Sequence, residues 1–204
     1  MRWFLMFLLL AVGGRVQAQK PPVPVIPVRS VTVSGGFSWP LTRHGLTQYW
    51  SPGPSGAVEF NVRIRRRYLL GVVVDVSAYW FRAGRFAQTN PGVTLENKPV
   101  AHITIALTGR YELLPERRIG PYFGLSVGAS RLTEAVEQQV IDSVRVTYFN
   151  IPGRTRLSAT GIIGVVVQMT RGFGLEAEGR LLYIHNDPDA GLIFGIRTGV
   201  RFSF

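Results

Sequence analysis

From Ser30 onward the chain falls into eight segments in which apolar and polar residues alternate, each about as long as the ~10 residues that carry a strand across a membrane. Strict alternation sends successive side chains to opposite faces, so every such strand has one greasy face and one hydrophilic face. The fourth segment, about Val100 to Tyr111, is the cleanest: Ile103, Ile105, Leu107 and Tyr111 oppose His102, Thr104, Thr108 and Arg110. The first, about Ser30 to Trp39, sets Val31, Val33, Phe37 and Trp39 against Thr32, Ser34 and Ser38. The second, about Ala57 to Arg66, sets Val58, Phe60, Val62 and Ile64 against Glu59, Asn61, Arg63 and Arg65. The third runs from about Tyr68 to Phe81, with Asp75 and Ser77 marking its inner face. In the fifth, Pro121 to Leu132, Gly124, Ser126, Gly128 and Ser130 alternate with Phe123, Leu125, Val127 and Ala129. The sixth, about Leu157 to Met169, is apolar on both faces apart from Ser158, Thr160 and Gln168. The seventh, Gly174 to Ile184, sends Glu176, Glu178 and Arg180 one way and Leu175, Ala177, Leu181 and Tyr183 the other. The eighth, Gly191 to Phe204, puts Leu192, Phe194, Ile196, Val200, Phe202 and Phe204 on one side.

The connections alternate in length. Those after segments two, four and six are turn-like (Arg65 to Arg67, Glu112 to Gly120, Thr170 to Gly172), whereas Pro40 to Gly56, Arg82 to Pro99 and Thr133 to Arg156 are long. Within the last of these, Val140 to Phe149 alternates again and extends a hairpin beyond the barrel. Tight turns at one end and long loops at the other are the pattern of an outer-membrane barrel, and an even strand count puts both termini on the periplasmic side. Nothing after Ala18 is long and unbroken enough for a spanning helix; the richest runs, Leu69 to Val74 and Gly161 to Val167, are short, β-branched and interrupted by glycine. A membrane reading is therefore a barrel reading, because only helices and closed barrels satisfy every backbone group in lipid. The expected fold is all-β: an eight-stranded antiparallel up-and-down transmembrane β-barrel over residues 30–204. Trp39, Tyr49, Trp50, Trp80, Phe81, Tyr111, Tyr122, Tyr148, Phe149, Tyr183, Phe202 and Phe204 fall near strand ends, where interfacial aromatic girdles lie.

The N-terminus adds a compartment. Met1-Arg2 forms a short positive region, Trp3 to Val12 is an apolar run about half as long as a spanning helix, and Val16-Gln17-Ala18 fits a peptidase site. Residues 1–18 are expected to be a secretory signal peptide, and 19–29 a Pro-rich periplasmic lead-in held extended by Pro21, Pro22, Pro24 and Pro27. The chain has no cysteine, which excludes a disulfide framework, a lipidated cysteine and thiolate metal ligation.

Two motifs resemble known families. The C-terminal pattern, with Gly199, Phe202 and Phe204, resembles the signal by which barrel-assembly machinery recognises its clients, which implies that machinery as a partner through the last strand. Gly120-Pro121-Tyr122-Phe123-Gly124-Leu125-Ser126-Val127-Gly128 resembles a strand of the small outer-membrane barrels related to the transmembrane domain of outer membrane protein A, a pattern-level likeness covering roughly Ser30 to Phe204 in a functionally mixed family.

The formal charge is +11, from 23 Lys and Arg against 12 Asp and Glu; removing Arg2 and Arg15 with the signal peptide leaves a surplus of nine. The arginines are spread through alternating apolar segments and do not cluster with exposed aromatics, which argues against nucleic acid and for lipid headgroups of an outer membrane as partners. An eight-stranded barrel has room inside only for side chains. Its inner face is expected to hold an ion-pair network of Glu59, Arg63, Asp75, Arg110, Glu176, Glu178, Arg180, Arg197 and Arg201, tolerable only if paired and hydrogen-bonded. If His185 to Ala190 closes symmetrically, Glu178 faces Arg197, and an ion pair between them is expected. Such a network acts as a plug or lines a narrow solute path, and the narrow bore favours the plug.

Catalytic candidates are few. His44 and His102 are expected to be solvated, in an outer loop and at the outer end of the fourth strand. Glu178-Gly179-Arg180 followed by Tyr183-Ile184-His185-Asn186-Asp187 resembles the strand of outer-membrane lipid A deacylases, which implies His185 as a base. Those enzymes carry a serine where Asp187 stands here, and a Ser–His hydrolase needs its hydroxyl within reach of the imidazole. Asp187 to Gly191 is read as an Asp-Pro turn in preference to a calcium site. No metal or cofactor is expected. The reading is a non-enzymatic outer-membrane barrel with a structural or surface-interaction role, whose long loops carry any specificity for an extracellular ligand that the sequence does not name. Alternatives are a lipid A-modifying hydrolase, a narrow small-solute channel, and a soluble exported barrel with its apolar face turned inward around a ligand.

Overall fold

The computed structural model describes residues 28–41, 49–82, 84–85, 88, 99–133, 135–141, 144–151, 155–185 and 191–204, with side chains of the 135–151 hairpin outside that description. The expected signal peptide, most of the expected lead-in, His44, Asp187 and the side chains of Tyr148 and Phe149 lie outside the described residues.

Among the described residues ten strands form: β1 (Arg29–Pro40), β2 (Gly53–Arg65), β3 (Tyr68–Trp80), β4 (Pro99–Glu112), β5 (Ile119–Leu132), β6 (Ala135–Ile141), β7 (Val144–Ile151), β8 (Thr155–Gln168), β9 (Phe173–Ile184) and β10 (Gly191–Ser203). Eight of them close into an antiparallel barrel in the order β1-β10-β9-β8-β5-β4-β3-β2. β6 and β7 pair only with each other, so the expected hairpin beyond the barrel exists but as a ladder of its own. The seam is sealed along its full length by β1 and β10, from Ser30 opposite Ser203 to Pro40 opposite Ile193. Arg29 and Phe204 exchange backbone hydrogen bonds of 2.9 and 3.0 Å at its foot, so no strand edge is left open there.

The alternation sorts as expected. Val58, Ile105, Leu107, Leu125, Leu175 and Phe202 point outward and stay exposed, while Glu59, Thr104, Thr108, Arg110, Ser126 and Glu178 are buried inside. Among the described residues, charged side chains occupy outward positions only at strand ends: Arg29 and Arg65 at the short-turn rim and Arg131 at the loop rim. A soluble barrel holding an apolar ligand needs the opposite arrangement, so the orientation contradicts that alternative. An apolar belt this large is stable only against lipid.

Aromatic rows border the belt at both ends. Tyr68, Tyr111 and Phe123 succeed one another at 4.9 and 5.2 Å, and Phe173 meets Phe202 at 5.8 Å, all near the short turns. Phe37, Trp39 and Phe194 line up near the loops, at 6.5 and 6.0 Å. Four expected girdle residues turn away from the lipid face, among them Trp50, which packs on the buried Tyr79. Tyr122 keeps the inward parity of β5 and is buried in the lumen, and Tyr49 and Phe81 are buried against each other at 5.9 Å over the loop end.

One register irregularity corrects the inner face of β2. A bulge between Arg63 and Arg65 makes Arg65 the partner of outward-facing Tyr68, so Arg65 is exposed at the rim and not inside. An extra residue in one strand reverses the parity of every position beyond it.

Candidate functional site

Among the described residues, the lumen gathers the buried acids and guanidiniums of the fold. Five carboxylates (Glu59, Asp75, Glu112, Glu176, Glu178) meet five guanidiniums (Arg63, Arg110, Arg180, Arg197, Arg201) in two sets of ion pairs, a larger one around Arg110 and Arg180 and a smaller one around Glu112. The interior is therefore neutral in total. Arg110 is the hub: Nη1 donates to Glu176 Oε1 at 2.6 Å, and Nη2 donates to Glu59 and, at 3.4 Å, to Glu178 Oε2. Its guanidinium also lies 4.6 Å from the centre of the Tyr122 ring. Arg180 contacts Glu178 on its own strand, Glu59 Oε2 at 3.1 Å and Asp75 Oδ2 at 3.5 Å. Arg197 grips Asp75 with both terminal nitrogens, at 2.5 and 2.7 Å, and donates from Nε to Ser55 Oγ at 3.2 Å. Asn61 Nδ2 donates to the remaining Glu59 oxygen at 2.9 Å.

Nearer the short turns, Glu112 is shared by Arg63 at 2.6 Å and Arg201 at 2.8 Å. Near the loops the character changes. Tyr79, Leu182, Ile184 and Ile193 form an apolar cluster across the bore, with Trp50 packed on it and stacked on Tyr79 at 5.8 Å. Ser38 Oγ donates to the Tyr79 hydroxyl at 3.0 Å.

Every residue of the expected network lies inside the barrel, but the pairing is not the one expected. Glu178 and Arg197 are cross-strand partners in register, yet they form no ion pair: Arg197 goes to Asp75, and Glu178 is taken by Arg180, Arg110 and the Tyr122 hydroxyl, which donates to it at 2.9 Å. The reason is general to this lumen. Apart from the contact within β9, each ion pair joins strands that are not neighbours: β4 to β2, β4 to β9, β10 to β3, and, across opposite walls, Arg201 on β10 to Glu112 on β4 and Arg180 on β9 to Asp75 on β3. Long side chains inside a narrow cylinder point at its axis, and their heads meet there.

Two participants escaped the sequence reading. Glu112 is the last residue of β4, not part of a turn; two residues beyond Arg110, it continues the inward parity, and that spacing was the available signal. Tyr122 continues the parity of Gly124 and Ser126, and its hydroxyl donates to Glu176 at 2.6 Å as well as to Glu178. Its ring fits because Gly164 lies opposite on β8: a Cβ at Gly164 would stand 2.5 Å from the ring. The apolar inner face of β8 gives the ring its packing, through Ile162 and Val166.

The histidines divide. His102 is not solvated, because β4 starts at Pro99 and carries position 102 into the cylinder, where the ring is 1% exposed. His185 is exposed at the loop rim just past β9, and its imidazole makes no hydrogen bond to another described side chain. Among the described residues no group of three or more His, Cys, Asp or Glu side chains is placed to hold a metal ion. At the C-terminal strand, Phe202 and Phe204 are exposed on the outer wall, while Gly199 faces inward where a Cβ would come within 2.5 Å of the Val33 carbonyl oxygen.

No family model and no curated protein matches the chain. Solved structures do match. The chain is similar to Neisserial surface protein A at 16% identity, covering 86% of this chain and 97% of that one with a TM-score of 0.57. It is similar to the outer membrane protein OprG from Pseudomonas aeruginosa at 8% identity, covering 90% of this chain and 99% of that one with a TM-score of 0.54. The fold is that of a small outer-membrane β-barrel. Within that fold, the described lumen holds matched acids and arginines paired across the bore beneath an apolar cluster at the loop end.

Proposed function

We propose that the protein is an integral outer-membrane barrel with a structural or surface-interaction role, its lumen plugged by charged side chains and its long loops presented outside. The single observation that carries this reading is the contrast between an outer belt free of charge between its rims and an interior in which five acids are matched by five arginines. Both chain ends of the barrel lie at the short-turn rim, which supports a periplasmic placement for them and for the lead-in after a signal peptide cleaved at Ala18. Full-length pairing of β10 with β1 supports docking of that last strand, through Gly199, Phe202 and Phe204, on barrel-assembly machinery before closure.

Neither a channel nor an enzyme is favoured by a feature of the site. A path for solute has to pass both the Arg110 cluster and the Tyr79 cap, and His185 lacks a hydroxyl partner among the described residues. The test is refolding into a planar bilayer together with gel migration before and after heating. A heat-modifiable band with no resolvable single-channel current is expected; steady ohmic conductance would overturn the plug. Lipid A mass spectra from cells carrying the wild type or His185→Ala are expected to coincide, and a difference between them would restore the hydrolase.

A further inference from the structure

The surplus positive charge is not evenly spread. The lumen cancels, residues 1–28 hold three cations, and the loop-side stretches 41–52, 81–98, 131–156 and 185–190 hold eight cations against six anions. The remaining surplus sits at the short-turn rim: Arg65, Arg66 and Arg67 at the β2–β3 turn, Arg117 and Arg118 at the β4–β5 turn, Arg171 at the β8–β9 turn and Arg29 at the seam, against Glu116 alone. All seven arginines are exposed. Glu116 neutralises only Arg66, through a contact open to solvent. Arg67 is tied to the membrane-facing row, since its Nη1 donates to the Tyr111 hydroxyl at 3.0 Å, and that bond holds its guanidinium pKa above the ordinary value. The girdle of Tyr68, Tyr111, Phe123, Phe173 and Phe202 sets the height of this rim, because such rings settle at headgroup level.

We infer that the short-turn rim is a binding site for the phosphodiester headgroups of anionic phospholipids in the leaflet it touches. The site rests on the proposed membrane placement of the barrel. Guanidinium forks match phosphate oxygens in bidentate fashion, and three turns carry them to different points of the circumference, so several lipids are held around the rim at once. The loop rim, with its near balance of charge, lacks this preference. The rim thereby fixes the depth and the orientation of the barrel, with the headgroups as its counter-ions.

The experiment uses the full folded barrel in nanodiscs of phosphatidylcholine with a minority of phosphatidylglycerol, stripped gently and weighed by native mass spectrometry. Wild type is expected to retain phosphatidylglycerol over phosphatidylcholine by about fivefold for each engaged arginine at low salt, and less as salt screens the rim. The variant Arg65→Gln/Arg66→Gln/Arg67→Gln/Arg117→Gln/Arg118→Gln is expected to lose the preference, and Arg131→Gln/Arg156→Gln at the loop rim to keep it. Equal retention of the two lipids by wild type, or equal loss in both variants, overturns the inference. Displacement of the lipid by millimolar inorganic phosphate also overturns it, because the rim then reads a free anion. Heat-modifiable migration checks that each variant is closed. A wild-type chain that inserts without lipid preference sinks the lipid site alone, whereas one that never inserts sinks the membrane reading.

Discussion

The lower and upper halves of the lumen solve one packing problem with opposite chemistries. Toward the short turns the bore is filled by guanidiniums and carboxylates, and toward the loops by Tyr79, Leu182, Ile184, Ile193 and Trp50. An apolar plug gains from each methylene removed from water, while a buried ion pair repays its desolvation only when both members and their hydrogen bonds are in place. The charged half is therefore the more fragile to truncation, although it is not the larger source of net stability. It acts as a brace whose members are mutually dependent, and the apolar half acts as a stopper whose members act nearly independently.

Removal of the hub tests this most severely. Arg110→Ala leaves Glu59, Glu176 and Glu178 short of a shared cation, and a loss of about 3–5 kcal/mol is expected in urea unfolding from bilayers. In the stopper, Leu182→Ala is expected to cost about 2–3 kcal/mol, because a side chain that packs at the end of the bore leaves a void that partly relaxes. If Leu182→Ala proves costlier than Arg110→Ala, the two halves do not differ in the way their chemistry implies. Tyr122→Phe removes one hydroxyl that serves two carboxylates while keeping the ring over Gly164, and about 1.5–3 kcal/mol is expected in the same assay. Smallest of all is Arg66→Ala at the rim: its pair with Glu116 is solvent-exposed, so a change of about 0.5 kcal/mol or less is expected.

How much of this was legible depends on range. Facing was readable residue by residue, because period-two alternation is local: Ile105 and Leu107 outside, Thr104 and Thr108 inside, all come from parity along one strand. Neighbouring registers were readable where a loop closed symmetrically, as Glu178 opposite Arg197 shows. Partner choice was not readable, because it is decided across the bore by side-chain length and by which small residues stand opposite. Gly164 admits the Tyr122 ring, and Asp75, three strands away around the wall, draws Arg197 from the carboxylate directly beside it. Strand ends were blurred for another reason: the two leucines after Glu112, Leu113 and Leu114, break the alternation where the ladder stops, and the bulge at Arg63 to Arg65 breaks parity without a glycine or proline to announce it.

The wall-to-wall contacts of Arg201 with Glu112 and of Arg180 with Asp75 bear on how the molecule is made. A flat or half-curled sheet holds those heads too far apart to meet, so they stay hydrated until the final seam zips. For these two contacts desolvation and neutralisation then arrive together with closure, whereas the β4 to β2 pairs, two strands apart, do not depend on the seam.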